Sequence, residues 1–256
     1  MSSGLTYLIT GANRGIGKGY VSLLLQRPST TIVAGVRDPS HDSSKALTEL
    51  PKADGSKVIL VKIDSAVESD PATAIETIQK DHGITSLDIV IANAGISHSS
   101  TRSREIQHES ALNHFAINSV APLILLNAAA PLLKASKTGN PIFVGISSLI
   151  GSNGAQEMLA GLPGFTSPYG ASKAALNWFV RRLHFEEPWL TSFVFHPGLV
   201  ETDMAAGLAS KSGVDLKTLG AITVKESIDG MISTIDKATK EISGTFQNYD
   251  GTVLPW

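Results

Sequence analysis

Seven short apolar runs alternate with longer stretches at helical spacing along the whole chain, and this alternation constrains the fold more than any other feature. The runs are Tyr7 to Thr10, Thr31 to Val36, Lys57 to Ile63, Leu87 to Ala92, Ile142 to Ile146, Ser192 to Phe195 and Thr245 to Gln247. Most are continuous, as Ile89-Val90-Ile91-Ala92 is, and a strand with no polar face must be covered on both sides. Between them lie helical stretches, among them Ile16 to Gln26 stopped by Pro28, Pro71 to His82 with Asp70 as its N-cap, and Pro168 to Phe185. Strand and helix in strict alternation predict a doubly wound α/β sheet of seven parallel strands with helices on both faces. In such a sheet ligands bind beyond the carboxyl ends of the strands. No linker divides residues 1–256, so a single domain is expected.

Composition removes several classes of function. Hydrophobic residues at 42% and charged ones at 17% suit a packed core rather than a disordered chain. A net charge of -2 gives no general attraction to nucleic acid or an anionic membrane, so any anion site must be local. With no cysteine, disulfide scaffolds, thiolate zinc sites and cysteine nucleophiles are excluded. The 7 histidines form no HExxH pair, and no metal is expected. The apolar stretch Ala121 to Leu133 is interrupted by Pro122, Asn127 and Pro131, and it is shorter than the roughly 20 residues that span a bilayer. The first apolar run has no basic segment before it and is too short for a signal-peptide core, so a cytoplasmic protein is expected.

The first strand runs directly into Thr10-Gly11-Ala12-Asn13-Arg14-Gly15-Ile16-Gly17 and then the first helix. Glycines there allow a tight turn and close approach of backbone to a pyrophosphate, while the helix N-terminus offers unpaired N-H groups to the anion. The spacing of Gly11, Gly15 and Gly17 resembles the short-chain dehydrogenase/reductase family. Further landmarks of that family follow in order: Asp64, Asn93-Ala94-Gly95, Asn118, Ser148, Tyr169-Gly170-Ala171-Ser172-Lys173, then Pro197-Gly198 with Thr202. The stretch from Tyr7 to Arg37 and the ending Asn248 to Trp256 resemble the branch of sniffer and C-factor-like carbonyl reductases and norsolorinic acid ketoreductase-like enzymes.

The resemblance implies a Rossmann-type fold, a nicotinamide dinucleotide and a small-molecule carbonyl substrate. On the cofactor it implies Gly11, Asn13, Arg14, Gly15, Ile16 and Gly17 at the turn, with Asp64 and Ser65 near the adenine. Asn13 and Asn93 would hold backbone and ribose geometry, and Ala94, Gly95, Pro197, Gly198, Val200 and Thr202 would also contact the cofactor, as would Tyr169 and Lys173, the lysine through the nicotinamide ribose hydroxyls. It also implies a homodimer or homotetramer built on the helices that contain Asn118 and Tyr169. Charge decides which dinucleotide. An NAD enzyme ends its second strand with a carboxylate, which repels a 2'-phosphate. Here the strand ends Val36-Arg37, with Arg14 as a second cation, so NADPH/NADP+ is expected; Asp38 is the competing residue if the register is shifted by one.

For catalysis the resemblance implies Asn118, Ser148, Tyr169 and Lys173. Tyr169 would exchange a proton with the substrate oxygen, and Ser148 would hydrogen-bond that oxygen, with Ser147 as its nearest competitor. A free tyrosine pKa of about 10 needs to fall by about 3 units, or roughly 4 kcal/mol, to match neutral pH. Lys173 at i+4 lies on the same helix face, and one positive charge at about 4 Å and an effective dielectric near 20 supplies roughly that energy. The Asn118 carbonyl would accept from residue 122 in a helix, but Pro122 has no N-H, so that carbonyl is freed and can hold a water in the family's proton relay.

Twenty residues separate Ser148 from Tyr169 where the family usually has about a dozen, so Leu149 to Pro168 includes an extra loop. Ile150, Met158 and Phe165 on that loop, with Met204 after Pro197-Gly198, point to a largely apolar ketone, aromatic or polyketide-like, or to a lid packed on itself. Gly145-Ile146-Ser147-Ser148-Leu149 lacks the second glycine of G-x-S-x-G, which excludes an α/β-hydrolase elbow. Two alternatives stay open: an NADPH-binding regulator without significant turnover, and an NADP-dependent alcohol dehydrogenase working in the oxidative direction.

Overall fold

The computed structural model describes residues 4–98, 101–161, 166–212 and 215–256. Seven strands, β1 (Thr6–Thr10), β2 (Thr31–Val36), β3 (Lys57–Lys62), β4 (Ile89–Ala92), β5 (Ile142–Ile146), β6 (Thr191–His196) and β7 (Phe246–Asn248), form one sheet in the order β3-β2-β1-β4-β5-β6-β7. Every pairing is parallel, with Leu8 opposite Val33 on one side and Val90 on the other. The winding reverses between β1 and β4, which opens the crevice where such sheets take ligands.

Because successive side chains of a strand point to opposite faces, each continuous apolar run feeds two cores. Ile9, Ile32, Ile91, Val144, Phe193 and Phe195 face helices α1 (Gly15–Leu24) and α9 (Val224–Asp236), where Tyr20, Leu24, Met231 and Ile232 complete the layer. Leu8, Val33, Val90, Phe143 and Val194 face α3 (Asp70–His82), α5 (Ala121–Lys134) and α7 (Tyr169–Glu186) through Ile78, Leu125, Ala129, Leu176 and Val180. Burial of one such side chain is worth about 1.5 to 3 kcal/mol, and Phe143→Ala should cost about 3 to 5 kcal/mol. Shorter pieces complete the chain: α2 (Asp42–Lys45), α4 (His108–Phe115), α6 (Gln156–Leu159) and α8 (Asp203–Ser212).

Strands and long helices fall where the pattern puts them, with informative shifts at the ends. Asp70 is not the N-cap of α3. Ser69 holds that position without a side-chain bond, while the buried Asp70 carboxylate accepts from the Asp64 N-H at 2.9 Å and meets Lys62 at 3.5 Å. A carboxylate that already has a backbone donor across the loop has no need of the helix's own amides. The helical stretch His108–Lys134 is also longer than the apolar run suggested: it has 27 residues, and an 18-residue window within it at mean hydropathy 1.7 is enough by length and composition to cross a bilayer. Here its inner face is packed against the sheet through Leu125, Leu126, Ala129, Leu132 and Leu133.

Candidate active site

The glycine turn is built at the carboxyl end of β1 and fastened to β4. Thr10 Oγ1 accepts from the N-H groups of Asn93 and Ala94, both at 3.1 Å, and Asn93 Nδ2 donates back to the Thr10 carbonyl at 2.8 Å. Gly11 adopts φ +63, and a Cβ at Gly17 would stand 2.1 Å from the Gly11 carbonyl oxygen. The turn therefore folds only around glycine at both positions. Helix α1 starts at Gly15 behind Arg14, whose side chain makes no capping bond, so its first-turn amides are left for an anion. Thr202 closes the other side, its methyl group 3.4 Å from where a Gly15 Cβ would stand. A Cβ-free cradle at an uncapped helix N-terminus fits the pyrophosphate of a dinucleotide.

The adenosine end is set by the chain after β2. Arg14 and Arg37 are both exposed, whereas Val36 is 1% exposed and belongs to the core. The Asp38 carboxylate accepts from Ser40 N at 2.8 Å and Ser40 Oγ at 2.6 Å, and these bonds hold its pKa below the usual carboxylate range. Asn13 Nδ2 donates to Ser43 Oγ at 2.7 Å, and Ser43 Oγ lies 2.8 Å from His41 Nδ1, so the glycine turn is tied to α2. Nothing in the residue pattern marks that tie, which depends on a turn geometry the sequence does not display. Asp64 folds back on Ala66 N at 3.0 Å, and Ser65 lines a cavity of about 280 Å³ together with Thr10, Ala92, Ala94 and Pro122.

The prospective catalytic side chains meet between β5 and α7. Ser148 follows β5 and is 8% exposed; its Oγ accepts from Ile150 N at 3.3 Å, and its side chain acts on the Tyr169 hydroxyl. Ser147, its competitor, turns away and donates to Asn177 Oδ1 inside the protein. Lys173, one turn beyond Tyr169, is 4% exposed and donates to the Ile146 carbonyl at 2.7 Å.

The expected electrostatics differ from what is observed. Burial pushes the Tyr169 hydroxyl up to about 12, with Ser148 a smaller opposing influence, and burial lowers Lys173 to about 8. The ammonium lies 5.8 Å from the centre of the tyrosine ring and points at Ile146, so it does not bring the phenol toward neutrality. One positive charge at i+4 does not offset the desolvation of both groups.

Asn118 is fully buried and does more than its backbone suggested. Its Oδ1 accepts from Ile96 N at 2.8 Å, and its Nδ2 donates to the Ile96 carbonyl at 2.9 Å and to Ser172 Oγ at 3.0 Å. Gly95 is packed beside both Asn118 and Lys173: a Cβ there would be 3.1 Å from Asn118 Oδ1 and 3.5 Å from Lys173 Nζ. Ala116–Val120 form a π turn in which Ala121 N bonds the Ala116 carbonyl, a wider turn than the simple proline gap expected from Pro122. Such turns often mark functional sites, and Pro122 was the only signal of this one in the sequence.

On the remaining sides, Gly198 at φ +85 and the buried Val200, bridged to Ile222, form the wall after β6. His196 ends β6 with Nδ1 buried and unpartnered, and burial lowers its pKa to about 4. Ile150 packs on Gly170 at the start of α7, while Met158 and Met204 are 68% and 44% exposed. Phe165 lies outside the described residues.

Residues 6–213 match the family model described as short chain dehydrogenase. Norsolorinic acid ketoreductase nor1 of Dothistroma septosporum is 43% identical over 253 residues, covering 98% of this chain and 92% of that protein. The norsolorinic acid ketoreductase of Aspergillus parasiticus is 38% identical over 252 residues, with 98% and 90% covered. Among solved structures, the NADPH-bound carbonyl reductase from chicken fatty liver superposes with a TM-score of 0.85 at 28% identity, covering 99% of both chains. Carbonyl reductase Sniffer of D. melanogaster gives 0.80 at 26%, covering 99% of this chain and 100% of that one.

Proposed function

The chain belongs to the short-chain dehydrogenase family, and from that premise we propose that it is an NADPH-dependent ketoreductase in which Tyr169 is the general acid. It is an oxidoreductase of C=O and CH-OH groups, and NADPH/NADP+ is its cofactor. The observation that carries the catalytic assignment is the meeting of Ser148, Tyr169 and Lys173 at the carboxyl end of the sheet that also carries the glycine turn: Lys173 donates to the Ile146 carbonyl two residues before Ser148, and its ammonium lies 5.8 Å from the Tyr169 ring. NADPH, when bound, supplies hydride to the carbonyl carbon.

The chain's own residues handle the oxygen. Ser148 and Tyr169 are the hydroxyls that would take it, and a phenol near 12 is protonated at neutral pH and ready to donate as the oxygen gains charge. Lys173, near 8, is charged at pH 7 and can return that proton from one turn away. Asn118 fixes the strand of chain at Ile96 opposite them. Gly11, Gly15, Gly17 and the first amides of α1 take the pyrophosphate, and the exposed Arg14 and Arg37 answer a 2'-phosphate. The substrate is a largely apolar ketone of aromatic or polyketide type; Ile150 and the exposed Met158 and Met204 support this class, as do the ketoreductase relatives. The chain would act as a homodimer or homotetramer through the helical stretch that contains Asn118 and through α7, where Leu112, Val120, Trp178 and Phe185 are exposed.

The test is a panel of aryl ketones and polycyclic quinones with NADPH oxidation followed optically. Turnover of at least one member is expected. Tight NADPH binding with no turnover of any member overturns the proposal.

A further inference from the structure

The segment that leaves β4 passes directly beside the catalytic groups, and what holds it there is only partly the family's asparagine. Gly95 is packed against Asn118 and Lys173, and Ile96 is gripped at both its N-H and its carbonyl by Asn118. Two residues further on, the N-H of His98 donates to Nε2 of His114 at 3.3 Å. His114 is 1% exposed, and its Nδ1 lies 2.7 Å from the Ser110 carbonyl. A carbonyl can only accept, so Nδ1 carries the proton and Nε2 is left as the acceptor that the His98 amide needs.

The spacing of the two anchors matches. His114 and Asn118 are four residues apart, about 6 Å along a helix axis, and Ile96 and His98 are two residues apart, a span of up to about 7 Å. Beyond the anchors, Thr101 N donates to the Ser167 carbonyl at 3.0 Å and Ser103 Oγ lies 2.9 Å from Ser167 Oγ. Ser167 stands two residues before Tyr169. The segment held by His114 therefore starts on the Lys173 side of the site, and Thr101 and Ser103 are fastened to a residue just before the tyrosine.

We propose that His114 is a positioning residue: its neutral Nδ1-H form clamps the segment after β4 so that Ile96 to His98 form a fixed substrate-side wall of the site. The proposal rests on the ketoreductase reading for its kinetic consequence and on geometry alone for its structural one.

Asparagine and glutamine separate the two halves of the imidazole. Glutamine places its amide oxygen near the position of Nε2 and keeps the acceptor for His98, whereas asparagine places its amide near Nδ1 and keeps only the bond to Ser110. His114→Asn should raise KM for the best ketone about tenfold, with kcat and the NADPH dissociation constant within about twofold. His114→Gln should behave like the unmodified protein. Equal KM values for the two variants, high or low, overturn the assignment, as does a change confined to NADPH affinity.

Hydrogen exchange of the two variants gives an answer that needs no substrate. A peptide spanning residues 95–104 should exchange faster in His114→Asn than in His114→Gln, with peptides from β5 and α9 unchanged. The same exchange rate for that peptide in both variants overturns the clamp, whereas a failure of the ketoreductase reading would appear as absent turnover in the unmodified protein.

Discussion

Replacing Lys173 with methionine tests the electrostatics of the site through stability, with no need to know the substrate. Lys173 is 4% exposed and its pKa is lowered from 10.5 to about 8 by burial. Below pH 8 the folded and unfolded chains both carry the charge, and folding bears its full desolvation cost. Between 8 and 10.5 the unfolded chain holds more protons than the folded one, so this group makes stability rise with pH. The cost at pH 7 is about 3 kcal/mol, and about 2 kcal/mol of it is relieved between pH 7 and pH 9.5. Methionine removes that cost but also takes the donor from the Ile146 carbonyl, a loss of about 1 to 3 kcal/mol. At pH 7 the two nearly cancel, so the difference between the pH values is what discriminates. Tyr169 does not interfere, because a folded pKa near 12 withdraws stability only above about pH 10, where the unfolded phenol ionises. Urea unfolding of both proteins at pH 7 and 9.5 should show the unmodified protein gaining about 2 kcal/mol relative to Lys173→Met. Parallel changes in the two proteins would mean that Lys173 ionises as in water and that burial does not set its pKa.

Three further perturbations address the cofactor site and the π turn. Gly17→Ala puts a methyl group where the Gly11 carbonyl lies 2.1 Å away, so NADPH affinity should fall at least about tenfold and stability by about 1 to 3 kcal/mol in calorimetric binding and urea unfolding. From Arg14 and Arg37, each discounted for exposure, NADPH should be preferred over NADH by roughly 30-fold to 1000-fold in kcat/KM, and Arg14→Ser with Arg37→Ser should remove most of that; equal use of both cofactors by the unmodified protein would displace Arg37 from the ribose. Pro122→Ala supplies an N-H beside the π turn, which should tighten it toward an α turn, shift Asn118 from Ile96 and slow proton transfer; an unchanged turnover and solvent isotope effect would make the proline a local feature only.

The strands and their order along the chain were legible because a parallel sheet buries both faces and leaves runs such as Ile89 to Ala92 with no polar residue. The glycine turn was legible because clashes such as that at Gly17 permit no other residue. Helix ends were less so, since Asp70 can cap α3 or serve Asp64, and only the path of the loop decides. The same limit applied to Tyr169 and Lys173. Their i+4 spacing places them on one face, but the balance between charge and desolvation depends on burial, and here the phenol rises instead of falling. Val36 shows the practical cost of that blindness. A carboxylate at the end of β2 looks like the way to favour NADH, yet Val36 is 1% exposed and the change would bury a charge in the core; Arg37→Asp is the substitution the fold can accept. His114 and Ser43 gave no signal, because their partners are a backbone amide and a turn hydroxyl that no sequence pattern brings together.

The most direct test of Tyr169 as general acid is single-turnover reduction by the NADPH-loaded protein, comparing unmodified chain with Tyr169→Phe on the most active ketone of the panel. The fold should persist, NADPH should bind within about twofold, and the rate should fall by about 10²-fold or more, the usual worth of a positioned acid. A Tyr169→Phe protein that reduces the ketone at a near-normal rate would contradict the assignment and leave Ser148 or Lys173 as the proton source.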